Sequence, residues 1–174
     1  MTIRKILTEP DPFLRQKSKK VEQVNDEIRT LIDDMLETMY NAPGIGLAAI
    51  QVGEPKRVIV IDLSREDEKK NPLYFVNPEL ITNSDNNAAY EEGCLSVPGQ
   101  FAEISRPDKC KVKYLDYNGN EKILDTEGLL ATCIQHEMDH LEGILFIDYL
   151  SKLKKNMIVK KLSKQKKSLE RIIV

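Results

Sequence analysis

The sequence predicts a single α+β domain. Three observations point there: amphipathic helical patterning near both ends of the chain, short strand-like runs between with a clear hairpin signal, and no internal repeat or linker in the 174 residues. A chain of this length buries a core without disulfide or metal staples.

The first helix is expected from about Asn25 to Tyr40. Ile28, Leu31, Ile32, Met35, Met39 and Tyr40 recur at helical spacing. Asn25 supplies an N-cap, Asp26 and Glu27 place acids in the first turn, and Pro43-Gly44 ends the helix. A glycine-rich stretch from Gly44 to Gly53 follows. Val58-Ile59-Val60-Ile61 reads as a buried strand, and Tyr74-Phe75-Val76 as another, closed by Asn77-Pro78. The polar segments 63–72 and 83–87 read as surface loops. Lys111 to Leu115 alternates, Asn118-Gly119 makes the turn and Lys122-Ile123-Leu124 returns, a hairpin. A second helix is expected from about Thr126 to Glu142, stopped by Gly143. A third runs from about Leu150 into the C-terminal tail, fraying near Lys166.

Composition is that of a soluble globular protein, 41% hydrophobic and 31% charged. No run approaches a membrane span, and the first ten residues hold no signal-peptide core. Cys94, Cys110 and Cys133 form an odd set with no paired spacing, which points to thiols, no disulfide partner and a cytoplasmic location. The net charge of -2 is uneven: residues 151–174 hold nine bases and one acid, while the rest of the chain is acidic. The tail then either meets an anionic partner such as RNA or packs back through Leu153, Met157 and Leu162 with its charges in water.

The two histidines carry the chemistry. They stand in Gln135-His136-Glu137-Met138-Asp139-His140, four residues apart. On a helix that spacing puts both rings on one face, about 6 Å apart along the axis, where they can share a metal. Glu137 is placed to take a proton from water there. A catalytic site of this kind usually has three protein ligands and one open position. The extended pattern with a third histidine fails, because Phe146 stands at that position and no other histidine exists. A downstream carboxylate is a weak third ligand, with only Asp148 and Glu170 on offer. Cys133 lies about 10 Å of helical rise from His140, too far for one ion. Cys110 alternates with Val112 and Tyr114 and reads as a buried strand residue. Cys94, between Gly93 and Leu95-Ser96-Val97-Pro98, reads as an exposed ligand on an irregular strand. The expected metal ligands are therefore Cys94, His136 and His140.

Leu129, Thr132 and Cys133 fall on the same helix face as His136 and could either wall a side-chain pocket or pack as core. Glycines at 44, 46 and 93 suit an extended peptide lying along a strand edge.

Three segments in this order, Gly44-Ile45-Gly46-Leu47-Ala48-Ala49-Ile50-Gln51, Glu92-Gly93-Cys94-Leu95-Ser96 and Gln135 to His140, closely resemble peptide deformylases of the bacterial type. The resemblance implies antiparallel or mixed sheets around a central helix bearing the two histidines, with a basic C-terminal helix packed on one domain spanning 1–174. It implies one divalent cation, Fe2+ natively, with Zn2+, Ni2+ or Co2+ as substitutes. It implies Glu137 as general base and then acid, and Gln51 with the Leu95 N–H as donors to the developing oxyanion. Ile45, Gly46 and Gly93 would hold the substrate backbone. The implied substrate is the N-formyl-methionine end of a nascent polypeptide, and the implied further partner, through the tail, is the ribosome. The chain departs from better-known members at Tyr90 and Thr132, where aliphatic residues are common, and at Phe101, where some carry Arg. Two other readings compete: a zinc peptidase cutting internal bonds, which lacks its third-ligand pattern, and a structural metal module, which needs neither Glu137 nor Gln51.

Overall fold

The computed structural model describes residues 1–173, with side chains through Arg171. Position 174, the end of the expected domain, lies outside the described residues. Three α-helices, α1 (Asp26–Asn41), α2 (Gly128–Leu141) and α3 (Lys152–Ile173), combine with seven strands. These are β1 (Gly46–Ala48), β2 (Val58–Ile61), β3 (Leu73–Asn83), β4 (Asn87–Cys94), β5 (Val97–Pro107), β6 (Lys109–Leu115) and β7 (Glu121–Glu127). Strands β1-β2-β3-β6-β7 form one sheet in that order, and β4-β5 a separate hairpin. All strand pairs are antiparallel.

The five-stranded sheet is covered on both faces, which explains why every residue of Val58–Ile61 is buried. Val58 and Val60 pack with Ile28, Leu31, Ile32, Met35 and Met39 of α1. Ile59, Ile61, Phe75 and Val112 pack with Ala131, Ile134 and Leu141 of α2. The α1 stripe falls where its spacing places it, and Asn25 Oδ1 accepts from the Ile28 N–H at 3.0 Å as the N-cap. Cys110 is buried in β6, as its alternation indicates.

Four expectations are corrected. β3 does not close at Asn77-Pro78. It runs on to Asn83, because Asn77 takes a positive φ of 52° and the register with β6 shifts between Val76 and Glu79, an irregularity that absorbs the proline. α2 starts at Gly128 rather than Thr126, since Thr126 and Glu127 are still paired with Cys110 and Lys109 and Gly128, at φ +66°, makes the corner. α3 starts at Lys152, after a 3₁₀ turn over Phe146–Tyr149, and continues past Lys166 to Ile173. It packs back through Leu162, at 3% exposure, with Ile158 and Val159, not through Leu153 and Met157, which are 72% and 63% exposed. The hairpin β4–β5 is an additional element, with Cys94 at its tip paired to Val97.

The N-terminal segment ties the site's two halves together. The Leu7 N–H donates to the Gln51 carbonyl at 2.7 Å, and the Glu9 N–H to the Ser96 carbonyl at 2.8 Å.

Candidate active site

The tip of the β4–β5 hairpin meets the face of α2 that carries both histidines. Ligand atoms of Cys94, His136 and His140 all lie within 4.8 Å of one another, and Cys94 Sγ is 3.3 Å from His140 Nε2. In a tetrahedral site with metal–sulfur and metal–nitrogen bonds of usual length, that edge measures about 3.5 Å. The donors thus fit one cation, and one thiolate with two imidazoles suits a borderline-soft divalent ion.

The electrostatics agree. Burial and the neighbouring His136 hold His140 well below the ordinary imidazole range, the neutral form a ligand needs. His136 is drawn the other way: burial lowers it, but hydrogen bonds with Cys94 and Glu92 more than offset that. Glu92 Oε1 lies 2.8 Å from His136 Nδ1, fixing the ring so that Nε2 faces the thiol side. Arg106, only 4% exposed, grips Glu92 at 2.7 and 3.0 Å and Asp139 at 2.8 Å. His140 Nδ1 is buried without a partner among the described residues.

Glu137 follows His136 on α2 and is 5% exposed. Its Oε2 has no hydrogen-bond partner among the described residues, and burial pushes its carboxyl up to about 7, with His136 opposing and Glu92 adding to the rise. Gly46 on β1 faces it so closely that a Cβ there would run into Oε1. A carboxyl poised near neutrality beside three metal donors can both accept and return a proton.

Gln51 lies in a 3₁₀ turn (Ala49–Val52) and is 1% exposed. Its Oε1 accepts from the Ala48 N–H at 2.8 Å, while Nε2 donates to Ser96 Oγ at 3.0 Å and lies 3.6 Å from Cys94 Sγ. The amide thus faces the donor set with its hydrogens already engaged. Leu95 sits at the hairpin tip, its side chain against Gly44.

A cavity of about 450 Å³ opens beside these groups. It is lined by every residue expected to contact substrate: Ile45, Gly46, Gly93, Leu129, Thr132 and Cys133. Thr132 and Cys133 are buried in its wall, whereas Ile45 and Leu129, 47% and 44% exposed, form its rim. A Cβ at Gly93 would collide with the Phe101 ring, also on the rim. Glu92, Ser96 and Arg106 received no role from the sequence. Glu92 and Ser96 lie in the segment that flanks Cys94, but they and Arg106 bear on the site only through tertiary pairing, for which the sequence holds no spacing signal.

A cleft of this shape, with a cation's donor set and a buried carboxyl at its floor, defines a metal-dependent hydrolase. Residues 3–156 match the polypeptide deformylase family. The chain is 67% identical over 174 residues to the peptide deformylase of Pelagibacter ubique (strain HTCC1062), covering all of both chains. It is 61% identical over 168 residues to that of Phenylobacterium zucineum (strain HLK1), covering 97% of this chain and 99% of the relative. Among solved structures, the peptide deformylase from Ehrlichia chaffeensis in complex with actinonin superposes with a TM-score of 0.91 at 46% identity, over 95% of this chain and 98% of that one. The chain belongs to the polypeptide deformylase family.

Proposed function

We propose that Cys94, His136 and His140 hold one divalent cation and that Glu137 moves the proton of deformylation beside it. As a member of its family, the chain is a hydrolase acting on a linear amide C–N bond: it removes the formyl group from the N-formyl-methionine of newly made polypeptides and releases formate. The observation that carries the residue assignment is the grouping of three donor atoms within 4.8 Å next to an unpartnered Glu137 oxygen.

When bound, the cation supplies Lewis-acid polarisation of the formyl carbonyl and acidifies water. Glu137 takes a proton from the attacking water as its oxygen bonds to the formyl carbon, and passes that proton to the amine nitrogen as the C–N bond breaks. The Gln51 Nε2 amide, turning from Ser96, and the Leu95 N–H donate to the carbonyl oxygen as charge develops; each such donor is worth about 3 kcal/mol of barrier. Ile45, Gly46 and Gly93 hold the substrate backbone as an added strand. Leu129, Thr132 and Cys133 receive the methionine side chain. Fe2+ is the native ion on this reading, with Zn2+, Ni2+ or Co2+ as substitutes. The donor set suits several of these.

The decisive measurement is anaerobic turnover of a formyl-Met tripeptide after Fe2+ or Ni2+ loading, with metal content quantified in parallel. Glu137→Gln should keep one ion per chain and lose turnover by about 10²- to 10⁴-fold. Near-normal formate release by that variant would place the base elsewhere.

The setting we propose is the cytoplasm, at the ribosome; no described helix is long and apolar enough to cross a membrane. Lys160, Lys164 and Lys167 of α3 are exposed on the side away from Leu162, a surface suited to RNA phosphates. Charge reversal at Lys160, Lys164 and Lys167 should abolish co-sedimentation with ribosomes at low salt, and unchanged co-sedimentation would remove this partner.

A further inference from the structure

The 3₁₀ turn Phe146–Tyr149 backs the metal donors from outside the cavity. Phe146, 1% exposed, stacks on the His136 ring with centroids 6.2 Å apart and planes 25° from parallel. Asp148 pins the turn through Arg15 at 2.6 Å and Lys155 at 2.7 Å. Tyr149 differs from both. It is 51% exposed and adds little to the core, yet its ring and its hydroxyl are both engaged. The hydroxyl donates to Asp139 Oδ2 at 2.7 Å, and the Arg106 guanidinium carbon lies over the ring, 4.8 Å from its centroid. Asp139 Oδ2 also accepts from Arg106 Nη1 at 2.8 Å, so Tyr149 and Arg106 share one acceptor. Arg106 Nε and Nη2 donate to Glu92, and Glu92 Oε1 lies 2.8 Å from His136 Nδ1. An unbroken run of contacts thus joins an exposed ring to an expected metal ligand: Tyr149, Arg106, Glu92, His136.

A forked arginine–carboxylate pair is strong when its geometry is fixed and water is kept off it. An aromatic face over the guanidinium supplies both conditions. Groups that orient a ligating histidine typically change metal affinity about 10- to 100-fold when lost. We propose that Tyr149 is a positioning residue for the metal centre: its ring holds Arg106 on Glu92, and Glu92 in turn holds His136 for the cation. The fold does not depend on it. The proposal rests on the reading of Cys94, His136 and His140 as the ligands.

The test measures Zn2+ affinity of the metal-free protein by competition with a chromophoric chelator, beside thermal melts of the same metal-free samples. Tyr149→Ala should weaken Zn2+ binding about tenfold and leave the metal-free melt within about 2 °C of the wild type. Tyr149→Phe, which keeps the ring over the guanidinium, should bind within about threefold of the wild type. Arg106→Lys removes the planar fork, so in that background Tyr149→Ala should weaken binding no further. Unchanged affinity in Tyr149→Ala overturns the proposal. So does a Tyr149→Phe variant as weak as Tyr149→Ala, an additive loss in the double variant, or a metal-free melt that falls in step with affinity. If Arg106→Lys does not fold, the two Tyr149 variants decide alone. Zn2+ binding that survives Cys94→Ala undiminished would instead overturn the reading of the ligands beneath it.

Discussion

Single residues set the distances at which this chemistry runs. Gly46 keeps the Glu137 carboxylate where it is, because any Cβ would occupy the space of Oε1. Its backbone is outside the left-handed region, so alanine meets no strain of its own there. Gly46→Ala should therefore fold and melt near the parent temperature while formate release falls about 10²-fold, the usual consequence of moving a catalytic group by about 1 Å. Equal loss of stability and turnover would mean that the glycine serves packing alone. The residue scale is also where the sequence was most readable. The His136–His140 spacing is local, so helix geometry alone pairs them, and Cys94 followed by eliminating the other thiols. Glu92, Ser96 and Arg106 could not be read that way, because each acts through a partner distant in the chain: Glu92 on His136, Ser96 on Gln51, Arg106 on Glu92.

Elements carry those residues into register. The β4–β5 hairpin is held to α2 by Arg106, which reaches Glu92 on one side and Asp139 on the other from a site 4% exposed. Arg106→Ala leaves the buried Glu92 carboxylate with His136 as its remaining partner and removes the guanidinium from Asp139. Breaking a buried pair from one side costs about 3 kcal/mol or more, which corresponds to a fall of about 10 °C in melting temperature for a domain of this size. A thermal melt checks this, and a shift under about 2 °C would show the guanidinium to be dispensable. α1, β2 and the β6–β7 hairpin were legible because each has an uninterrupted period and clear end signals. The hairpin holding Cys94 was not. Gly93, Pro98, Gly99 and Pro107 interrupt both of its strands, and although more and less exposed residues alternate over 87–92 and 100–106, the inward positions include the charged Glu92 and Arg106, which break the apolar period a sequence reading needs. β3 was cut short for a like reason, since Asn77-Pro78 is a stop signal that a local irregularity overrides.

At the scale of the whole molecule, carboxylates drawn partly or wholly out of water clamp separate parts of the chain. Asp148 meets Arg15 at 2.6 Å and Lys155 at 2.7 Å, joining the N-terminal segment to α3. Burial would raise its pKa, but Lys155, Arg15 and the Leu145 N–H outweigh that and hold it below the ordinary aspartate value. Asp62 is lowered in the same way, its burial outweighed by the Tyr40 hydroxyl, Ser64 and the Asn71 N–H. A carboxyl whose folded pKa lies below its unfolded value, about 3.9, contributes its full stabilisation above that value and loses it as pH falls through the folded one. Urea midpoints should therefore stay flat from neutrality to about pH 5 on account of these groups and drop below about pH 4. Asp148→Asn should flatten part of that drop; an identical acid limb in the variant would show that Asp148 contributes nothing to it. The α+β class was legible at this scale, whereas the covering of one sheet by α1 on one face and α2 on the other shows only in the packing. How α3 seats was not legible, because Leu153, Met157 and Leu162 look alike in sequence and only contact with Val97, Ile104 and Phe146 selects the last.

The Cys94 sulfur and the His136 and His140 nitrogens come from chain segments more than forty residues apart, brought together by the packing of the β4–β5 hairpin on α2. A cation held there, as proposed, would act as a rivet between layers rather than as an ornament on one of them. Its occupancy would then report completed assembly, and a chelator that strips it should free the hairpin tip well before the five-stranded sheet gives way.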